Sequence, residues 1–244
     1  MMEQSTKEVW ERQFSEQLEK QRRWPSEELI AFIEGRYPDG VRGERVLEVG
    51  YGSGNNLWYL LRKGFRVRGI DHSETASQYA ASRLRYEEAG STVDWLPWEL
   101  EVGSIEELED TFPDRDQFDG VIDVRAIQHL DWEMHKKAYS AIEHILKPNG
   151  WFFSVHLTSG TWDRFHHNGR AIDRNTIDGN TDPSSIYPGV GVTCMPATYS
   201  LAHLIRSARD LEVVSHELVS RSYDGRSKWS EHSVIVAEKI LSCV

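Results

Sequence analysis

The sequence predicts an α/β chain organised around a doubly wound, mostly parallel sheet with helices on both faces. Three observations carry that expectation. Short apolar runs alternate with amphipathic helical segments between residues 41 and 157, and such alternation closes naturally into a parallel sheet. One run, Val46-Leu47-Glu48-Val49, breaks into Gly50-Tyr51-Gly52-Ser53-Gly54, with glycine at every second position. The next run (Val67, Gly69, Ile70) ends in Asp71. A glycine turn packed against a ligand, answered by a carboxylate on the neighbouring strand, is how such sheets hold a nucleoside.

The elements follow in order. Trp10, Phe14 and Leu18 recur at four-residue steps and mark an amphipathic helix. Ser26 followed by Glu27 and Glu28 predicts a serine-capped second helix, with Leu29, Ile30, Phe32 and Ile33 on its buried face. Pro38 to Gly43 turns the chain into a first strand, Arg45–Val49, and the glycine loop leads into a helix over Asn56–Arg62. After Asp71 a helix spans Glu74–Glu88, with Ala76, Tyr79, Ala80 and Leu84 inside. A third strand falls at Glu99–Val102, its pattern diluted by Pro97 and by acids, and a fourth at Phe118–Val124. Asp131 caps a helix carrying Met134, Ala138, Ile142, Ile145 and Leu146. Lys147-Pro148-Asn149-Gly150 is a turn into a fifth strand, Trp151–Val155.

Thr158–Thr198 then shows little periodicity and is rich in Gly, Pro, Ser, Asn and aromatic residues. A connection that long inside a compact domain is functional or disordered, and its aromatic residues and histidines favour function. A last helix, Ser200–Ala208, precedes strand Val213–Val219, the turn Asp224-Gly225-Arg226 and strand Ser233–Ala237. Strands joined so directly form an antiparallel hairpin. One domain over residues 1–244 is expected: N-terminal helices (1–40), a binding core (41–157), an insertion (158–198) and a closing helix with hairpin (199–244).

Acidic residues outnumber basic ones by 39 to 28, for a net charge of −11. Many acids cluster between Glu99 and Asp119, as on a solvated face, and the balance argues against a phosphate-backbone partner. No stretch supplies the roughly twenty apolar residues of a membrane span. Met1 to Ser5 lacks the basic and apolar regions of a secretory signal, and Cys194 and Cys243 fit no metal spacing. The expectation is a reduced, cytoplasmic protein, monomer or homodimer, whose partner is a small molecule and not nucleic acid or membrane.

The glycine spacing narrows the ligand. A dinucleotide fingerprint places its third glycine at position 55, but Asn55 stands there and the third glycine is Gly54. A nicotinamide oxidoreductase is disfavoured on that ground. The form Glu48-x-Gly50-x-Gly52-x-Gly54 resembles motif I of the class I S-adenosylmethionine-dependent methyltransferases. Phe118-Asp119-Gly120-Val121-Ile122-Asp123, Ile127-Gln128-His129-Leu130 and Leu146-Lys147-Pro148-Asn149-Gly150 resemble that family's later motifs. The likeness covers about residues 40–157, and the closing helix and hairpin in outline.

That resemblance implies a Rossmann-like seven-stranded sheet of order 3-2-1-4-5-7-6, with strand seven antiparallel. It implies S-adenosylmethionine as cofactor, S-adenosylhomocysteine as product, and a binding site made of the loop Gly50, Tyr51, Gly52, Gly54 and Asn55. Asp71 is expected on the ribose hydroxyls and His72 near the adenine. Gly103-Ser104-Ile105 stands where many members have Gly-Asp-hydrophobic, so Ser104 implies a weaker or backbone-assisted adenine contact. Glu48 is expected to accept hydrogen bonds around the loop and orient the cofactor. Trp10 and Trp24 resemble residues of the family's lid helices; with Tyr51 they either surround the cofactor or belong to the core.

Methyl transfer is an in-line displacement in which the cofactor supplies the reactive group and the protein supplies alignment. A base helps only if the acceptor must lose a proton. His129 is such a base or bonds a loop carbonyl; His156 is a base or a substrate contact. Trp162, His166, His167 and Tyr187 are candidate substrate contacts. Asp123 faces the cofactor's ammonium or is structural. Arg125 binds an anionic group or pairs with Asp123, the pair being favoured. No metal triad is recognisable. The expected activity is methyl transfer to oxygen or nitrogen of a small molecule, such as a sugar or natural-product intermediate. The alternative is a catalytically silent S-adenosylmethionine-binding subunit or sensor.

Overall fold

The structure, a computed structural model, describes residues 6–16, 23–115 and 117–240. Two helices, α1 (Thr6–Glu16) and α2 (Glu27–Arg36), precede β1 (Arg45–Val49), α3 (Asn55–Lys63) and β2 (Arg66–Asp71). Next come α4 (Glu74–Ala89), β3 (Trp98–Val102), the short α5 (Leu108–Thr111) and β4 (Phe118–Val124). Then follow α6 (Trp132–Ile145), β5 (Leu146–Leu157) and three short strands, β6 (Arg170–Ala171), β7 (Thr176–Asp178) and β8 (Thr193–Cys194). The chain ends in α7 (Thr198–Arg206), β9 (Leu211–Tyr223) and β10 (Lys228–Lys239).

The large sheet has seven strands in the order β3-β2-β1-β4-β5-β10-β9. β1 runs parallel to β2 and β4, β2 to β3, and β4 to β5, whereas β10 runs against both β5 and β9. Counting only these strands, this is the expected 3-2-1-4-5-7-6 order. Val49 sits opposite Ile70 on one side and Asp123 on the other. The carboxyl ends of β1, β2 and β4 therefore open at one rim, where open α/β sheets bind ligands.

Alternation along the central strands divides the core into two layers. Leu47, Val49, Val121 and Phe152 pack with Ile142 of α6 and Leu201 of α7 on one face. Val46, Val67, Ile122 and Phe153 pack with Leu29 of α2, Leu60 of α3 and Leu84 of α4 on the other. Each such side chain, fully buried, contributes on the order of 1.5–3 kcal/mol through removal from water.

Several elements differ from the sequence expectation. Ser26 makes no capping bond to its helix. Its hydroxyl donates to Glu28 in the same helix instead, and its N–H donates to Asn56 Oδ1 at 2.9 Å, so a local carboxylate takes the hydroxyl a cap would use. Asp131 does cap α6, accepting from the Met134 N–H. The turn before the fifth strand is absorbed into β5, with Asn149 at φ 63 and a shifted register beside Phe118 and Gly120. Helix α7 starts at Thr198, and β9 and β10 extend well past the apolar runs because their polar ends still pair with each other. The aperiodic segment is ordered around the small antiparallel sheet β6-β7-β8, whose strands are too short to show a period. Val9 and Phe14 form the buried side of α1, and Leu18 lies outside the described residues, as does Cys243. Cys194 is buried, and burial pushes its thiol up to about 12. Among the described residues no helix is long and apolar enough to cross a membrane.

Candidate active site

A cavity of about 610 Å³ opens at the rim over β1, β2 and β4. That volume suits a ligand of nucleoside size or larger. Its floor is the glycine loop. Gly50, Gly52 and Gly54 all have positive φ (67°, 51° and 72°), a region costly to residues with a Cβ. A Cβ on Gly50 would lie 2.2 Å from Ala126 Cβ, so only glycine lets the loop close against the exit of β4. Gly52 is covered by the Phe14 ring of α1. Gly50 and Gly52 line the cavity, as do Tyr51 and Asn55; Gly54 does not, and instead starts α3 beside Ala80.

Asp71 ends β2 beneath this loop. Its Oδ2 accepts from the Gly52 N–H and its Oδ1 from the Ser73 N–H, both at 2.9 Å. Burial raises its pKa and these two donors pull it back. Each oxygen retains acceptor capacity toward the cavity, because an ionised carboxylate offers about four lone-pair sites. His72 lines the same wall, and desolvation lowers its pKa, which favours a neutral ring. Gly103, Ser104 and Ile105 complete that end, with the Ser104 hydroxyl accepting from the Glu106 N–H at 3.1 Å. Glu106, which sequence reading treated only as part of an acidic run, lines the cavity too.

Glu48 is almost fully buried at the base of the cavity. Its Oε1 accepts from Asn56 Nδ2 at 2.6 Å, and its Oε2 has no hydrogen-bond partner among the described residues. Burial, opposed by the Asn56 hydrogen bond and assisted by the charges of Asp71 and Asp123, pushes its carboxyl up to about 8. A buried acceptor of this kind awaits a donor, since leaving it unmatched is costly. The significance of Asn56, eight residues beyond Glu48 and facing it, was not visible in the sequence pattern.

Asp123 is fully buried and does not line the cavity. Its carboxylate accepts from the Ala126 and Ile127 N–H groups and from Ser154 Oγ, which shapes the exit of β4. Of its two readings, the structural one matches this geometry. Arg125 lines the cavity at φ 66, and its guanidinium faces Glu28 at 3.8 Å. The charge of Arg125 also acts on Asp123, lowering its carboxyl against the effect of burial, while the Asp123 oxygens bond backbone and Ser154.

His129 lines the cavity and also bonds a loop carbonyl, Val192 O, at 2.8 Å through Nδ1. Its tautomer follows from its neighbour. Gln128 Oε1 accepts from the Leu157 N–H, so the Gln128 amide presents its NH2 end to His129 Nε2 at 3.3 Å. Nδ1 therefore carries the proton and Nε2 the lone pair. Desolvation pushes the imidazole down to about 4, and the Trp10 ring meets it edge-on at 4.8 Å.

His156 lies elsewhere. It is fully buried, does not line the cavity, and bonds Leu157 O and His135 Nε2. Its inward direction follows from the pleat of β5, where position 157 instead faces the rim. Trp162, His166 and His167 also lie off the cavity: His166 stacks on Trp162 at 3.5 Å, Trp162 meets Trp229, and His167 bonds Gly169 O. Tyr187 does line it, seated by its N–H on Asp163 Oδ2 at 2.8 Å. Trp24 lines the mouth while remaining 73% exposed. Among the described residues no cluster of His, Cys, Asp and Glu could hold a metal ion.

Comparison with known proteins agrees with this architecture. Residues 46–150 match the family described as methyltransferase domain. A ubiquinone biosynthesis O-methyltransferase of Thiobacillus denitrificans is 31% identical over 124 residues, 51% of this chain and 48% of that protein. The chain thus matches about half the length of that curated relative. An S-adenosylmethionine-dependent methyltransferase of Methanosarcina mazei superposes with a TM-score of 0.67 at 19% identity, covering 85% of this chain and 98% of the other. The 1,6-didemethyltoxoflavin N1-methyltransferase of Burkholderia thailandensis, solved with bound 1,6-didemethyltoxoflavin and S-adenosylhomocysteine, gives a TM-score of 0.59 at 20% identity over 86% and 76% of the two chains. From the glycine loop to the fifth strand this chain is similar to the methyltransferase domain family, and its sheet has the class I methyltransferase fold.

Proposed function

We propose that this protein is an S-adenosylmethionine-dependent methyltransferase acting on oxygen or nitrogen of a small molecule. The observation that carries the reading is the grouping of Glu48 Oε2, the Gly50–Gly52 loop and the Asp71 carboxylate at one cavity wall. These residues fit the cofactor: a buried acceptor for an ammonium group, a floor without side chains, and an acid suited to a ribose diol. When bound, that cofactor supplies a methyl group activated by a sulfonium.

What remains for the protein is to align an acceptor and, where that acceptor carries a proton, to receive it. Arg125, Gln128, His129, Leu157, Tyr187 and Thr193 form the other end of the cavity, beyond the glycine loop. His129 carries its lone pair on Nε2, where the Gln128 amide donates at 3.3 Å; that amide must turn aside for Nε2 to take a proton as the acceptor attacks. Its low basicity suits proton transfer concerted with attack and not before it. Support for a small, flat acceptor comes from the relatives named above, one acting on a quinone precursor's oxygen by its name and one on a ring nitrogen.

Calorimetric titration with S-adenosylhomocysteine and with the nicotinamide dinucleotides tests the reading. We expect binding of the former alone. Preferential binding of a nicotinamide dinucleotide, or no binding of S-adenosylhomocysteine, would sink it. Release of S-adenosylhomocysteine during incubation with S-adenosylmethionine and hydroxylated or aminated aromatic acceptors separates an enzyme from a silent binder.

A further inference from the structure

We propose that Gln128 is a positioning residue for His129: its side-chain amide covers the Nε2 lone pair until an acceptor arrives, and then yields it to the acceptor's own O–H or N–H group. The purpose of this cap rests on the reading of His129 as the group that receives the acceptor's proton, whereas its geometry stands apart from that reading. Gln128 is 4% exposed, so packing holds its amide, and it lines the cavity beside His129. Both follow Ile127, whose N–H donates to the buried Asp123 carboxylate at 3.1 Å. The turn that carries the two side chains is therefore anchored in the core.

The amide fits only one way round. The Leu157 N–H, which can only donate, meets Gln128 Oε1 at 3.1 Å. A reversed amide would set two donors against each other and leave both unsatisfied. The NH2 end therefore faces His129 Nε2 at 3.3 Å. On the far side of the ring Val192 O, which can only accept, lies 2.8 Å from Nδ1 and fixes the proton there. The imidazole is thus gripped by a short bond to the insertion and a longer one from its chain neighbour. The longer bond is the weaker, and it is the one that gives way.

A hydrogen bond donated to the lone pair of a neutral imidazole stabilises the neutral form and lowers the ring's basicity. Burial pushes the ring in the same direction. The titratable groups facing His129 are His72 at the end of β2 and His156 on β5, while α1 supplies the Trp10 ring and the insertion the Val192 carbonyl. None of these is an acid that would favour the charged ring. An uncovered lone pair at this depth would be a buried acceptor without a partner, which is costly. Gln128 removes that cost without offering a proton that can be transferred, because an amide N–H does not ionise near neutral pH. An acceptor hydroxyl or amine competes for the same lone pair and does bring a proton that His129 can take.

The test is a pH titration of the full chain, labelled at its histidine nitrogens and followed by nitrogen NMR, with the His129 signals identified by their loss in His129→Gln. In the unaltered chain Nδ1 should carry the proton and Nε2 none at pH 7. Gln128→Met, of similar length but without a donor, should keep that tautomer through Val192 O and raise the His129 midpoint by at least one pH unit. Gln128→Glu offers an acceptor to both the Leu157 N–H and a protonated ring, and should hold His129 protonated at pH 7. Should the Met variant fail to fold, the Glu variant decides. A proton on Nε2 of the neutral unaltered ring, or an unchanged midpoint in the variants, overturns the cap. With S-adenosylhomocysteine present, at least one of the hydroxybenzamides should shift the Nε2 resonance and bind Gln128→Met at least threefold more tightly, since no amide then has to be displaced. No shift with any of them, or weaker binding to that variant, overturns the yielding. Failure of S-adenosylhomocysteine to bind refutes the methyltransferase reading, an outcome separate from the titration, which needs neither cofactor nor acceptor.

Discussion

At one end of the cavity Glu48, Gly50, Gly52 and Asp71 come from a single strand–loop–helix–strand run, residues 48–71. At the other end Trp10, Arg125, His129, Leu157, Tyr187 and Thr193 come from α1, the exit of β4, the end of β5 and the insertion. The first end is held by short backbone bonds inside one unit, such as Gly50 N–H to Ile70 O at 2.7 Å. The second is held across long separations, by His129 to Val192 O and by Gln13 Nε2 to Gly189 O. A donor end made locally can stay constant while an acceptor end assembled from distant segments is free to change. On this view cofactor affinity and turnover should respond to different residues.

The sharpest test is at the acceptor end. His129→Gln can keep a hydrogen bond to Val192 O but cannot accept the acceptor's proton. Turnover should fall by roughly 10²–10⁴ with S-adenosylhomocysteine affinity unchanged, read by steady-state kinetics beside calorimetry. Because the imidazole sits near 4, the unaltered enzyme should show no rise in rate between pH 5.5 and 7 from this group. If affinity and rate fell together, the two ends would not be separable.

The reciprocal test is Asp71→Ala, which removes the proposed ribose contact and strands the Gly52 and Ser73 N–H groups. Cofactor affinity should drop on the order of 100-fold, from charge-assisted hydrogen bonds of about 1.5–3 kcal/mol. Thermal denaturation should register about 1–3 kcal/mol from the unsatisfied donors. Unchanged affinity in calorimetry would remove Asp71 from the site.

The same contrast governs what the sequence disclosed. The glycine loop and Asp71 were legible because they depend on spacing within one βαβ unit, where the fold leaves little freedom, whereas the sheet order came with the family resemblance. His129 was legible as a residue but its tautomer was not, since that is decided by Gln128 and Leu157 across the rim. His156 was misplaced by a single step of the pleat: Leu157 faces the cavity and His156 turns inward to His135. The small sheet β6-β7-β8 was invisible because its strands span two or three residues. The Arg125–Glu28–Arg221 grouping joins β4, α2 and β9, and no local pattern announces it.

Within the donor end, Glu48 provides a gentler discrimination. Its folded pKa is raised to about 8, so below that pH the unliganded carboxyl holds a proton. An ammonium beside Oε2 favours the ionised form, and binding near neutral pH must therefore release a proton. Affinity should rise with pH up to about 8, by at most about tenfold per unit. Calorimetry in phosphate and in Tris should report different apparent enthalpies, and Glu48→Gln should abolish that difference. Equal enthalpies in both buffers with the unaltered protein would show that Glu48 is already ionised or lies away from the ammonium.

The smallest expected effect bounds the acceptor end. His166 stacks on Trp162, which in turn meets Trp229, and none of these three lines the cavity. The insertion reaches the cavity through Tyr187, Val190 and Thr193, seated by Asp163 and by the short strands. His166→Ala removes one exposed ring from an external stack and leaves those anchors in place. Surface changes of this kind cost roughly 0.5 kcal/mol or less, so turnover should stay within about twofold. A loss of tenfold or more in kcat/KM, with melting temperature unchanged, would mean that the Trp162 region closes over the acceptor during turnover. The acceptor end would then extend along the insertion past Tyr187, and the separation between a local donor site and an assembled acceptor site would widen.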